Sequence, residues 1–523
     1  MQFQFKLLAS LFLASICFSG YSQNTVEILT VPAKDAFTKI NPTGTTILPS
    51  GRFLTPAGTL IRITNDPFGL AISPDGKKSV TLHNGVFTII DNATLNATRV
   101  PSYDKKIKSP LSNGSFLGVA FSPDSKTVYL SGGDNGAVIV YDIESFTRLD
   151  SISLDGIVGG VNYGDSFTSD LVYNDAKNEL LVLDRGNFRM VRIDLASKKI
   201  TASIKVGRLP FGLTLSPDKK TVIVANVGMY EYPLIKGATP ENYDSLLISY
   251  HPYGDNTKES INGTVIEGRE IPGVGSPLHP DAMSVFTIDL SKNKVIDKFK
   301  TGHQIGQMIE DAEVVGGASP NSVAIGSQFA YVSNATNDNI SVIDYKNHKL
   351  IGDIDIKVDP RIDKFRGLLP FGLTLSKDEK KLYVALLGFN AVAVLDVKSG
   401  KTVGLIPSAW GPTRVKLSKD ETELYITTCR GLGAGPNGGQ GFVSPQQGHY
   451  VGDIQLGSFQ KLKMPDADQL AKYTKQSIDN TFEVQKVTDD GKNPVPPLPG
   501  LRNSPIKYIV YVTKENRTYD EIF

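Results

Sequence analysis

Residues 506–523 read I-K-Y-I-V-Y-V-T-K-E-N-R-T-Y-D-E-I-F and place Glu515 and Asn516 just past an apolar run. That run, Ile506 with 508–512, has the length and the β-branched and aromatic content of a buried strand. Oxygen-bearing side chains delivered to a strand's C-terminal end stand where open α/β sheets hold their ligands. A second candidate is the stretch 229–281, rich in Tyr, Pro and Gly, with Tyr230, Tyr232, Tyr243, Tyr250 and Tyr253. A Tyr-rich, weakly charged loop suits sugars, peptides or an adjoining domain; it also suits a lid packed on the rest of the protein. A third, 303–321, collects His303, Gln304, Gln307, Glu310 and Asp311, but His303 and Glu310 are seven residues apart, too far for one ion without help from elsewhere. His83, His251, His279, His348 and His449 show no H-x-x-x-H or H-E-x-x-H spacing. The glycine-rich stretch 431–441 lacks the Lys-Ser/Thr of a phosphate loop and reads as a turn, and no G-x-S-x-G elbow is present.

The elements that must carry these residues repeat. Pro67-Phe68-Gly69-Leu70 recurs at Pro210-Phe211-Gly212-Leu213 and at Pro370-Phe371-Gly372-Leu373. Each copy runs into a short strand and a turn, A-I-S-P-D-G from Ala71, T-L-S-P-D-K from Thr214 and T-L-S-K-D-E from Thr374. Weaker copies start at Val119, Leu171, Ser322 and Val415. In the turn the Ser and Asp side chains bond the backbone and Pro presets φ. A second strand, a turn, a third strand ending in Asp (Asp142, Asp194, Asp344, Asp396) and a fourth complete the unit. Four short strands in roughly 40–50 residues is the period of a β-propeller blade, which must stack on its neighbours to bury both faces. Seven units begin near Asp66, Ser115, Phe167, Leu209, Ser319, Leu369 and Gly411, and the 229–281 stretch lies inside the fourth. The expected fold is all-β: a seven-bladed propeller of four-stranded blades over 23–465, then a short helix, a Pro-rich linker and a C-terminal strand. The strand at 59–63 is expected to pair beside 454–462 and close the ring.

These units resemble the YVTN-type propeller repeats of surface-layer and secreted bacterial proteins, with Y-V-S-N-A-T-N-D-N-I-S-V-I-D from Tyr331 the nearest match. That resemblance, spanning about 45–465, implies a fold and not an activity.

Residues 1–22 read as a secretory signal peptide, with Lys6 before an apolar 7–18 and Gly20-Tyr21-Ser22 as a small-x-small cleavage site. About a dozen apolar residues cannot cross a bilayer, and Ala14-Ser15-Ile16 before Cys17 fits a lipoprotein box poorly. Export to the periplasm or outside is the expectation. Of the two cysteines only Cys429 would remain, so neither an internal disulfide nor a cysteine zinc site can form. With 55 basic against 54 acidic residues there is no footprint for nucleic acid. A partner is expected on a propeller face, a ligand or cell-surface component of unspecified kind, and no transmembrane segment is read.

After the repeats, 466–480 has the signature of a helix, with Asp466 as its cap, Gln469 three residues on, and an apolar face of Leu470, Tyr473, Thr474 and Ile478. Residues 493–505 (N-P-V-P-P-L-P-G-L-R-N-S-P) form a semi-rigid Pro-rich spacer. The run K-Y-I-V-Y-V-T-K-E-N-R-T-Y-D-E-I-F that follows resembles the opening strand of the bacterial phosphoesterases that include acid phosphatases and phospholipases C, relatives of alkaline phosphatase. The resemblance implies that Glu515 and Asn516 bind a divalent metal polarising a phosphoryl group. The family's nucleophile and further acidic ligands lie downstream of this motif, so 506–523 is expected to be the truncated start of such a domain. The chain as written is then a binding or scaffolding propeller with no cofactor or catalytic residue of its own. Alternatively it is a fragment of an active secreted phosphoesterase.

Overall fold

The computed structural model describes residues 25–102, 109, 111–112, 114–239, 241–246, 257–433 and 455–513. The chain divides into two compact units, one of Asp35–Thr481 and one formed by the segments on either side of it. The larger unit is a seven-bladed β-propeller of four-stranded antiparallel blades. Its innermost strands are Gly69–Ile72, Val119–Phe121, Thr168–Asn174, Pro210–Leu215, Pro320–Ile325, Pro370–Leu375 and Trp410–Leu417.

The turn chemistry read from the repeat is what joins first strand to second in five blades. Ser73, Ser122, Ser216, Ser376 and Ser418 each donate a hydroxyl hydrogen bond to the Asp two residues on, at 2.5–2.7 Å. The same hydroxyl accepts the N–H that opens the next strand, as from Lys78 to Ser73 at 2.9 Å. Blade 3 lacks this turn and is held by buried ion pairs instead. Arg189 meets Asp184 at 2.7 Å with both side chains almost wholly out of water, and Arg192 grips Glu179 while donating to Leu290 O of blade 4. Removing either partner of such a pair leaves an uncompensated buried charge. Cys429 is buried and unpaired.

Ring closure follows the expectation. Thr59–Arg62 pairs antiparallel with Ser458–Lys463 and becomes the outer strand of the last blade, with Phe459 opposite Ile61. The two ends of the ring are thus tied by a backbone ladder, to which Gln460 adds a side-chain bond from Nε2 to Ala57 O at 2.6 Å. The helix Ala467–Thr481 starts where its cap predicts: Asp466 accepts the Gln469 N–H at 2.8 Å. Leu470 and Tyr473 pack on the core shared by blades 6 and 7, and Thr474 Oγ1 accepts the Leu405 N–H at 2.9 Å. Gly404 leaves the space that Leu470 fills, since a Cβ there would lie 2.5 Å from the Leu470 Cγ.

In the smaller unit Thr25–Thr30 pairs antiparallel with Glu483–Thr488, Thr25 opposite Thr488. Arg502 returns to Asp489 at 2.7 Å. The strand expected at 506–512 is not formed. The backbone there has no strand partner among the described residues, and Tyr508, Ile509, Val510 and Tyr511 are 86–88% exposed. A strand exists only through its ladder, and apolar content alone does not make one. Glu515 and Asn516 lie outside the described residues.

Candidate functional site

The inner strands carry an irregularity that their regular repeat makes visible. At the position held by glycine in blades 1, 2, 4 and 6 (Gly69, Gly118, Gly212, Gly372), blade 3 has Asp170, blade 5 Ser322 and blade 7 Arg414. The glycines are steric necessities, because neighbouring inner strands touch. A Cβ on Gly212 would lie 2.2 Å from Asn321 O, and one on Gly372 2.5 Å from Thr413 O. Where a side chain is present, it bridges to the next blade instead. Asp170 Oδ2 accepts the Leu213 N–H at 3.2 Å, and Arg414 Nε donates to Phe68 O at 2.9 Å.

Arg414 also reaches past blade 6. Its Nη1 donates to Ser322 Oγ of blade 5 at 2.5 Å, a span that the missing side chain of Gly372 permits. Two residues after Arg414 comes Lys416. Asp170, Arg414 and Lys416 are the charged residues of the seven inner strands, and all three line one axial cavity of about 370 Å³. Its remaining walls are largely aliphatic, among them Leu70, Leu117, Leu171, Val323 and Leu373.

All three side chains are half-buried, and desolvation by the surrounding blades works on each. It raises Asp170 above the ordinary carboxyl range, against the pull of Arg414 and two backbone N–H donors. It lowers Arg414 and Lys416, and the guanidinium beside it lowers Lys416 further. Among the described residues nothing accepts a hydrogen bond from the Lys416 ammonium. The cavity thus holds two cationic groups against one carboxylate, with donors and an acceptor in reach of the same space.

One end of the cavity is stoppered. Phe68, Phe116, Phe211 and Phe371 stand just before the lining stretches of blades 1, 2, 4 and 6, and their rings form a closed cycle of contacts with centroids 5.5–6.0 Å apart. Rings from blades 1, 2, 4 and 6, spread around the circle, can close such a cycle only across the axis. The Arg414 guanidinium lies 5.5 Å from the Phe371 centroid, within cation–π range.

The insertion is the other departure from the repeat. It leaves blade 4 between its second and third strands, Thr221–Asn226 and Ser284–Asp289, and contains a hairpin, Gly263–Ile266 with Arg269–Pro272. Arg208 clamps its neck, donating to Met229 O and Ser276 O, both at 2.8 Å, and to Glu231 at 3.0 Å. Lys300 adds bonds to the carbonyls of Pro277, His279 and Ala282. Of the sequence-derived tyrosines, Tyr230 is half-buried at this neck and Tyr232 is 73% exposed. Tyr243 opens a 3-10 turn, Tyr243–Leu246, while Tyr250 and Tyr253 lie outside the described residues. The 303–321 loop assembles no ligand set. Glu310 pairs with Arg366 at 3.0 Å, and the His303 N–H donates to Asn337.

The sheet order defines the class of protein: a seven-bladed β-propeller with a charged, stoppered axial cavity. Among solved structures it is similar to the hydrazine synthase of Kuenenia stuttgartiensis, at 17% identity over 72% of this chain and 96% of that one, with a TM-score of 0.44. No protein-family model and no curated protein matches the chain.

Proposed function

We propose that this chain is a binding or scaffolding module whose ligand occupies the axial cavity of the propeller. The observation that carries this reading is the gathering of the inner strands' charged residues, Asp170, Arg414 and Lys416, into one cavity. A purely structural inner ring needs no charge there, since four of its seven blades manage with glycine. The test is to fill the cavity. Thr214→Trp, on the lining of blade 4, is expected to abolish retention of the small molecule that the purified wild type releases on denaturation, as read by mass spectrometry. Unchanged retention would move the ligand to the insertion or to a face.

Export, on the strength of Lys6 before an apolar 7–18 and the Gly20-Tyr21-Ser22 site, and service beside a metal-dependent phosphoesterase, on the strength of the E-N-R-T-Y-D motif, belong to the same proposal. In that setting Glu515 and Asn516 would hold a divalent cation. The alternative, a piece of an active phosphoesterase, predicts hydrolysis of an aryl phosphate with added divalent metal and its loss in Glu515→Ala. A binding module predicts no turnover in either.

A further inference from the structure

The reading of the chain as a binding module leaves the chemistry of its ligand open, and the cavity constrains it. Its charge does not balance: Arg414 and Lys416 face Asp170 alone, and no ion-pair contact joins Asp170 to either cation among the described residues. One positive charge is left without a counter-charge in a space walled by aliphatic side chains. Such a surplus favours a monoanion in the cavity, because a partly desolvated charge gains from a paired and hydrogen-bonded counter-charge.

Donor geometry adds to this. Arg414 uses Nε on Phe68 O and one Nη1 hydrogen on Ser322, which leaves the Nη2 hydrogens for a ligand. The three hydrogens of Lys416 are uncommitted. Asp170 takes one backbone N–H on each oxygen, from Leu171 at 2.9 Å and Leu213 at 3.2 Å, and each oxygen keeps a lone pair for another donor. A cavity of about 370 Å³ holds roughly a dozen water-sized groups. That suits a small metabolite and excludes a folded peptide or a sugar chain threaded along the axis, whose way is also barred by the four phenylalanine rings.

We propose that the axial cavity binds a small organic monoanion, a carboxylate that also carries a hydroxyl donor and an apolar side chain. Arg414 and Lys416 take the carboxylate, Asp170 takes the donor, and the aliphatic walls take the rest. The proposal rests on the binding-module reading, and the experiment separates the two.

Calorimetric titration of the full chain uses 2-hydroxyisocaproate, leucine, isocaproate, isocaproamide, leucinamide and inorganic phosphate as probes. The hydroxy acid is expected to bind most tightly, with isocaproate weaker and the zwitterionic leucine and the amides weakest. Lys416→Met, which breaks no protein hydrogen bond, is expected to weaken the acids by about tenfold or more. Asp170→Asn is expected to erase the preference for 2-hydroxyisocaproate over isocaproate. Equal binding of acid and neutral amide, or wild-type affinity in Lys416→Met, would overturn the proposal. So would phosphate binding that Lys416→Met leaves unchanged. Tight binding of cationic leucinamide, lost in Asp170→Asn, would overturn the monoanion while leaving the cavity a binding site. No heat with any probe at millimolar concentration would overturn the ligand class, and the binding module would then stand or fall on the cavity-filling variant.

Discussion

The axial cavity and the blade 4 insertion both depart from the repeat, and they do so in opposite ways. The cavity changes residue type at fixed backbone: Asp170 and Arg414 occupy positions where blades 1, 2, 4 and 6 have glycine, and their strands carry the register shift there that blades 4 and 6 also carry. The insertion changes the backbone and leaves the blade alone, since Thr221–Asn226 and Ser284–Asp289 pair residue for residue across its base. The first kind of departure is locked in by every neighbouring strand. The second is fastened at one neck, chiefly by Arg208 and Lys300. The comparison teaches that chemistry in this fold can be introduced without length, and length without disturbance of the core.

Several substitutions sharpen or break that contrast. The largest effect is expected for Gly372→Ala, whose Cβ would meet Thr413 O at 2.5 Å and Arg414 Cδ at 3.0 Å. It should lower stability to urea by about 1–3 kcal/mol, as overpacking does. A neutral result would mean that the inner ring yields more than its contacts suggest. Arg208→Ala comes next. It removes three bonds from a buried guanidinium and should open the insertion locally, by about 1–2 kcal/mol. Limited proteolysis should then cut within 229–281 while the blades stay intact; faster cleavage of the blades would tie the insertion to the core.

A smaller effect is expected of pH. Lys416 loses its charge below the ordinary lysine range, so affinity for an anion should fall as pH rises through that lowered value. Asp170 gains its proton above the ordinary carboxyl range, so in acid the preference for a donor-bearing ligand should vanish before the affinity does. An alkaline limb unchanged in Lys416→Met would assign it to another group. The smallest effect is expected for excision of 232–273. Glu231 N–H already donates to Val274 O at 2.9 Å, so a short turn can join the ends. Melting temperature should move by only a few degrees, since loop length costs little, and cavity affinity should not change. Loss of ligand on excision would instead give the site to the tyrosines.

Much of the fold was legible because the repeat states it several times. Pro-Phe-Gly-Leu and Ser-x-Asp mark the same two positions in blade after blade, and Asp466 marks its helix by a local rule. The pairing of Thr59–Arg62 with Ser458–Lys463 followed from counting strands in the last unit. The cavity was not read, although a signal existed. Asp170 and Arg414 look like surface charges in a linear sequence, and only alignment of the seven copies shows them replacing glycine. Arg208 and Lys300 were missed for a similar reason, since nothing local says that a cation at a strand end will hold a distant neck. At 506–512 the error ran the other way. Strand-like residues were present, but their partner could not be read from them, and among the described residues there is none.

The closure of the ring by Thr59–Arg62 also orders events in time. During synthesis this strand emerges early, and its partner Ser458–Lys463 follows almost four hundred residues later. Until then the nascent protein carries an unpaired edge at each end of an open arc, and unpaired edges invite the wrong neighbour. Every blade but the last can assemble from contiguous chain, so the ring must wait, nearly built, for its final strand to leave the ribosome.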